Sequence, residues 1–214
     1  ISHLFIDSSI TELSFDDIKQ NRDDIFILDI NDNEKWDEFI TKSNKISVQK
    51  PLLHDLNELS SIMYTSGTTD NPKGIIFNQL NIISKRFARA LALPNIGPED
   101  SFLCYLPLYH TFGRWFEMMG SIFWGSTYTF TETTSFKNLL KDLELSKPSI
   151  FISIPKRWIQ IYEQIDASID IEKSKDKEID KITHLVTGGN LKWGLSAAGY
   201  LDPDIFKFFN HSGI

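Results

Sequence analysis

Eleven residues, Tyr64–Gly74, read Y-T-S-G-T-T-D-N-P-K-G and gather four Ser/Thr hydroxyls, two glycines, a proline and a lysine between two short apolar runs. Chemically this is what a phosphate-holding segment needs. The hydroxyls of Thr65, Ser66, Thr68 and Thr69 can donate to phosphate oxygens, and Gly67 lets the backbone turn or approach without a Cβ in the way. Successive backbone N–H groups in such a loop can form an anion-binding concavity, and Lys73 adds a mobile positive charge. Pro72 and Gly74 set how the chain leaves. The same residue types favour plain surface turns for local reasons, so composition alone leaves turn and phosphate loop both open. A Walker loop is excluded, because here the lysine precedes the glycine and no hydroxyl follows it.

Such a loop must be held by regular elements, and the rest of the chain supplies them. Short β-rich runs alternate with segments of helical period, which predicts a layered α/β domain with a largely parallel sheet. H-L-F-I-D and I-F-I-L-D-I read as strands, and residues 33–43 as a helix; residues 44–60 show no clear period. Leu80, Ile83, Phe87 and Leu91 form one stripe of a helix starting near Asn78. F-L-C-Y-L reads as a strand ended by Pro107, residues 115–125 as a buried helix, and S-T-Y-T-F as a strand. Further on come a helix capped by Ser135, the strand S-I-F-I-S-I, a helix through Trp158, Ile161, Tyr162 and Ile165, and a polar surface stretch over 170–181. I-T-H-L-V-T-G-G reads as a last strand, and D-P-D-I-F-K-F-F-N as a last helix begun by Asp202 or Pro203.

The bulk numbers bound the class of protein. With 214 residues, 41% of them hydrophobic, the chain can bury a substantial core. The net charge of −7 has its cations scattered, so nucleic acid is not an indicated partner. The single cysteine, Cys104, excludes an internal disulfide and reads as a small buried residue, which points to an intracellular chain. No apolar run approaches the roughly 20 residues of a membrane span. The opening Ile1 is read as the mark of a fragment of something longer.

The order and spacing within Tyr64–Gly74 resemble the phosphate-binding signature [S/T]-S-G-[S/T]-T-G-x-P-K-G of the adenylate-forming (AMP-binding) superfamily, which includes acyl-CoA synthetases, firefly luciferase and adenylation domains of nonribosomal peptide synthetases. Thr65, Ser66, Gly67, Thr68, Thr69, Pro72, Lys73 and Gly74 match it; Asp70 stands where the family usually has glycine. A carboxylate about 5 Å from triphosphate costs on the order of 1 kcal/mol, which weakens ATP binding without abolishing it, unless Asp70 turns to solvent or caps the turn. L-P-L-Y-H-T-F-G-R-W, Leu106–Trp115, is similar to the P-L-x-H-x-x-x-R block of the long-chain acyl-CoA synthetase branch, and H-L-V-T-G-G-N-L-K, His184–Lys192, resembles the family strand ending in G-G-[A/E]-P, with Asn190 and Leu191 departing from its last two residues.

The resemblance implies that this chain is part of the family's large N-terminal domain: an AMP-binding core segment over 60–214, preceded in the same domain by 1–59, with the small C-terminal domain absent. It implies a two-step ligase in a cytoplasmic setting, soluble or peripheral to a membrane. A carboxylic acid, in the long-chain branch a fatty acid, attacks ATP to give an acyl-adenylate and pyrophosphate, and coenzyme A then takes the acyl group. Thr65, Ser66, Gly67, Thr68, Thr69 and Lys73 would hold the β/γ-phosphates and pyrophosphate. His110, an imidazole between two anions, would orient the carboxylate, and Gly188, Gly189 and Asn190 would line the adenine, where a Cβ has no room. Magnesium would arrive with ATP, but its expected glutamate lies in a block that should follow F-F-N-H-S-G-I, so no metal ligand is assigned. Two other readings stay open: an acyl-AMP ligase that loads a carrier protein, and a nucleotide-binding but catalytically dead homologue, hinted at by Asp70 and Asn190.

Overall fold

The apolar runs S-F-L-C and I-F-I-S become β5 (Ser101–Cys104) and β7 (Ile150–Ser153), the inner strands of a four-stranded sheet flanked by β6 (Thr127–Phe130) and β8 (Trp193–Ser196). Every pair in it is parallel. All four residues of β7 are buried, as a parallel strand covered on both faces requires. The computed structural model describes residues 3–7, 9, 24–44, 54–65, 71–131 and 133–214. Contacts group the chain into two units, Ile1–Leu53 and His54–Ile214.

In the first unit β1 (His3–Ile6) pairs in parallel with β2 (Phe26–Asp29), and α1 (Asn33–Ser43) follows. Asp32 caps that helix by accepting the Lys35 N–H. Phe5 meets Trp36 and Phe39 edge-on, and Phe26 stacks on Phe39.

The second unit begins with the antiparallel pair β3 (Leu59–Thr65) and β4 (Lys73–Asn78), then α2 (Gln79–Ala92). Asn78 accepts the Asn81 N–H at 2.8 Å and its own N–H reaches the Asn81 side chain at 3.2 Å, a reciprocal cap that fixes where the helix starts. After β5 comes a π-helical stretch, Phe112–Met118, continuing into α3 (Met119–Trp124). α4 (Phe136–Ser146, capped by Ser135), α5 (Pro155–Ser168), α6 (Asp176–Val186) and α7 (Pro203–His211, capped by Asp202) complete the order.

Alternation along the inner strands sorts the core. Leu103 and Phe151 face a layer built from Leu139, Leu143, Trp158, Ile161, Ile165 and Phe209. Phe102, Ile150 and Ile152 face Phe116 and Trp124 on the other side.

Two expectations need correction. Residues 182–186 are helical, not a strand: they end α6, whose polar first turns hide a stripe running from Ile179 through Ile182 to Val186. The last strand is instead β8. The helix expected over 115–125 starts earlier and as a π-helix, with Met119 N–H bonding the Arg114 carbonyl five residues back. The stripe Leu80, Ile83, Phe87, Leu91 lies on a helix as expected; it is exposed, Leu91 by 83%, whereas Arg86 of the same helix is buried.

At the amino ends of the strands Asp100, only 3% exposed, accepts Gly97 N–H at 2.9 Å, the Ser149 hydroxyl at 2.8 Å and Lys192 Nζ at 2.7 Å. It thereby pins the starts of β5, β7 and β8. Burial would raise its carboxyl, but Lys192, Gly97 and Ser149 outweigh burial and hold it below the usual range. The ionised form is therefore bound more tightly in the fold. Asp100→Asn should lower the unfolding free energy by about 1–3 kcal/mol at neutral pH. The difference from wild type should shrink as pH falls below about 4, measured by denaturant unfolding across pH.

Candidate active site

β3 and β4 bring the ends of the hydroxyl-rich motif together, with Thr65 opposite Lys73 at the open end of the pair. The tip, Ser66, Gly67, Thr68, Thr69 and Asp70, lies outside the described residues. Lys73 is exposed at the mouth. One register step further in, a Cβ on Gly74 would lie 3.1 Å from Ile62 Cγ2 and 3.4 Å from the Tyr64 ring, so glycine is what lets Tyr64 lie across the strand.

His110 sits beyond the carboxyl end of β5. Its N–H bonds the Pro107 carbonyl at 3.0 Å, and its Nδ1 accepts the Phe112 N–H at 3.3 Å, which leaves Nε2 as the nitrogen available to a ligand. Phe112 stacks on the imidazole at 6.4 Å. Gly113 then packs on the turn itself: a Cβ there would come within 2.4 Å of the Pro107 carbonyl oxygen, so the π-helix approaches only because the position is bare. Arg114 donates from Nε to the Leu108 carbonyl at 3.0 Å and from Nη1 to Ser61 Oγ of β3 at 3.5 Å. Trp115 packs on Phe77 of β4, ring centroids 5.0 Å apart. The hairpin and the histidine turn, far apart in sequence, are thus fastened side by side through Arg114 and Trp115.

A residue with no mark in the sequence holds this turn from behind. Glu117, in the π-helical stretch, is 0% exposed. Its carboxyl accepts the backbone N–H of Leu106, four residues before His110, and the Tyr128 hydroxyl at 3.5 Å, while Oε1 has no partner. Burial pushes this carboxyl from 4.5 up to about 9 against the smaller opposing pull of those two donors, so it is a neutral acid at pH 7.

Gly188, Gly189 and Asn190 are not brought to His110. They follow α6 and precede the amino end of β8, and because the strands are parallel this is the opposite edge of the sheet from the turn after β5. Gly188 serves packing: it has φ 89, and a Cβ there would lie 2.1 Å from the Leu143 carbonyl oxygen, whereas Gly189 has φ 83 and no close neighbour. Asn190 Nδ2 donates to the Lys147 carbonyl at 3.2 Å.

The loop on the His110 edge is Ser196–Gly199, after β8, which sequence reasoning missed. Ala198 takes φ 63, a conformation costly for a residue with a Cβ. Ser196 Oγ is buried without a partner. A cavity of about 440 Å³ opens here, lined by Trp158, Ser196, Gly199, Leu201 and Phe206 among others. Alternating Trp193 and Leu195 before a run of small residues was the available signal. Among the described residues no three His, Cys, Asp or Glu side chains gather as a cluster that could hold a metal ion. Nor is any described helix long and apolar enough to cross a membrane.

Parallel strands whose carboxyl-end loops share one edge, with a lysine-bearing hairpin fastened beside them, define an α/β enzyme domain of the kind that takes ligands at that edge. Residues 2–213 match the family model of the AMP-binding enzymes, and the chain belongs to that family. It is 31% identical over 159 residues to long-chain-fatty-acid–CoA ligase 1 of Saccharomyces cerevisiae, covering 72% of this chain and 22% of that protein. It is 25% identical over 185 residues to long-chain-fatty-acid–CoA ligase 1 of Schizosaccharomyces pombe, covering 72% of this chain and 27% of the other. Among solved structures it is similar to ATP-bound MatB from Rhodopseudomonas palustris, with a TM-score of 0.67 at 17% identity over 98% of this chain and 37% of that one. The chain spans about a quarter of the length of the curated relatives it matches.

The neutral state of Glu117 has a measurable consequence. Because its carboxyl titrates higher in the fold than in the unfolded chain, its contribution is full below 4.5 and is lost as pH rises toward about 9. Glu117→Gln keeps the shape without the titration. The variant should therefore gain stability relative to wild type as pH is raised across that window, read as denaturation midpoints at several pH values.

Proposed function

We propose that the intact protein is an acyl-CoA synthetase acting on fatty acids, and that this chain carries the phosphate-holding and carboxylate-orienting part of its site. In the first step a carboxylate oxygen attacks the α-phosphorus of ATP. The bond to the bridging oxygen breaks, pyrophosphate leaves, and an acyl-adenylate remains. In the second, the thiolate of coenzyme A attacks the acyl carbonyl and AMP leaves, the thiol proton passing to solvent. The observation that carries this reading is the fastening of the Thr65/Lys73 hairpin to the His110 turn through Arg114 and Trp115. The names of the yeast relatives support the fatty-acid substrate and coenzyme A.

The roles follow from charge and position. Thr65, Ser66, Gly67, Thr68, Thr69 and Lys73 hold the β/γ-phosphates and the departing pyrophosphate, Lys73 countering the charge that builds on the leaving group. His110 Nε2 holds the acyl carboxylate in line with the α-phosphate. We assign the adenine edge to Ser196–Gly199 in place of Gly188, Gly189 and Asn190, because that loop leaves the carboxyl end of a parallel strand. Magnesium, when bound with ATP, would neutralise phosphate charge.

Exchange of labelled pyrophosphate into ATP by the full-length protein tests the reading. Lys73→Ala and His110→Ala should each slow exchange by about 10²-fold, and unchanged rates would remove both assignments. For the adenine edge, Gly199→Val should raise the KM for ATP about tenfold while Gly189→Asn leaves it unaltered; the reverse pattern would return that role to the glycine pair.

A further inference from the structure

In the sheet order β6–β5–β7–β8, whatever leaves the carboxyl end of β7 lies between the turn after β5, which carries His110, and the loop after β8, Ser196–Gly199. That piece is the first turn of α5, begun by Pro155. Two adjacent side chains of this turn, Arg157 and Trp158, reach the strand exits on either side of it. Arg157 donates from Nε to the Tyr105 hydroxyl and from Nη2 to the Thr134 carbonyl at 2.8 Å, and the Tyr105 hydroxyl donates to that same carbonyl at 3.3 Å. Its Nη1 is engaged by Gln160 Oε1 at 2.6 Å. Trp158 donates from Nε1 to the carbonyl of Leu195, the residue before Ser196, at 3.2 Å. The indole lies against Gly194, where an added Cβ would come within 2.6 Å of it, and a Cβ on Gly199 would stand 3.3 Å from Pro155.

The first turn of α5 therefore touches both loops to which the site is assigned. Tyr105 is 6% exposed and packs edge-on against Phe151, so the core fixes its ring and its hydroxyl is a rigid anchor. A guanidinium is planar and donates in fixed directions, so a grip on oxygens from two separate segments sets geometry as well as attraction. Between Tyr105 and His110 the chain is held again, at Leu106 by Glu117 and at Leu108 by Arg114. Both of those holders belong to the π-helical stretch that the turn itself leads into. Arg157 comes from the exit of the next strand and so refers the turn to the rest of the edge. With Nε, Nη1 and Nη2 each engaged within the protein, it acts through Tyr105 and Thr134.

We propose that Arg157 is a positioning residue of the site: by fastening Tyr105 and Thr134 to the first turn of α5, it fixes the spacing between the His110 turn and the Ser196–Gly199 loop. The inference rests on the synthetase reading, in which a carboxylate at His110 must meet the α-phosphate of a nucleotide whose adenine lies at Ser196–Gly199. In-line attack tolerates little displacement, and a shift of about 1 Å is enough to slow such a step on the order of 10²-fold.

Pyrophosphate exchange by the full-length protein, measured well below the thermal midpoint of every variant, provides the test. Arg157→Met should lower kcat about tenfold while the KM for ATP stays within about twofold, because the hairpin assigned to the phosphates is not moved. A merely structural role would lower the midpoint and leave kcat per folded molecule intact, and that result would overturn the proposal. Action through Tyr105 further requires that Arg157→Met combined with Tyr105→Phe be no slower than Arg157→Met alone; losses that multiply would also overturn it. A second readout separates this inference from the synthetase reading: the rate at which diethyl pyrocarbonate modifies His110, followed by peptide mass spectrometry. Arg157→Met should change that rate severalfold and leave those of His184 and His211 as they are. If the wild type exchanges no pyrophosphate, the synthetase reading fails and the His110 rate alone decides, an unaltered rate overturning the role of Arg157. If Arg157→Met does not fold, Arg157→Lys, which keeps the charge but lacks the fork, takes its place under the same criteria.

Discussion

Parallel pairing of β5 with β7 is the constraint from which the rest of the larger unit follows. Parallel neighbours cannot be joined by a tight turn, so each return must cross a face of the sheet, here as helix. Both faces are then covered, and the inner strands must be apolar on each side, as I-F-I-S is. The same pairing puts every strand's carboxyl end on one edge. The turn carrying His110 and the loop Ser196–Gly199 share that edge by topology, not by proximity in sequence. At the other edge Asp100 ties the strand starts, so one end of the sheet is closed by charge and hydrogen bonds while the other is left open to ligands.

The two faces are unlike in kind. One is an unbroken apolar layer around Phe151, Trp158 and Ile161. The other contains, beside Phe116, the buried acid Glu117, and α2 brings the buried cation Arg86 next to α3. Buried polar groups are costly unless satisfied, and their concentration against the hairpin and the histidine turn separates a supporting face from a working one.

What the sequence disclosed was whatever local chemistry determines. Asn78, Ser135 and Asp202 announced their helices because a side-chain oxygen must satisfy free N–H groups. Cys104 was legible as buried, and the strands β5 and β7 as apolar runs. Residues 182–186 misled because I-T-H-L-V is rich in β-branched residues, while the helical stripe begins earlier among charges. The period of Leu80, Ile83, Phe87 and Leu91 was correct, but period names a face without saying what covers it, and there the buried residue is Arg86. Ser196–Gly199 escaped notice because a glycine pair is a stronger written signal than a run of small residues, although at Gly188 the close Leu143 carbonyl already demands a glycine. Nothing local distinguishes a π-helix from an α-helix over Phe112–Met118. That choice depends on Gly113 meeting the carbonyls of Leu106 and Pro107.

The π-helical stretch also limits how the chain can vary in length. Each of its hydrogen-bonded rings encloses one residue more than an α-helical ring, so removal of a single residue from 112–118 would let the segment close as ordinary helix. Everything beyond the deletion would then rotate about the axis, carrying Glu117 away from Leu106 and Trp115 away from Phe77. Surface loops of this chain can gain or lose residues with little consequence, but in this stretch the residue count itself is part of the site.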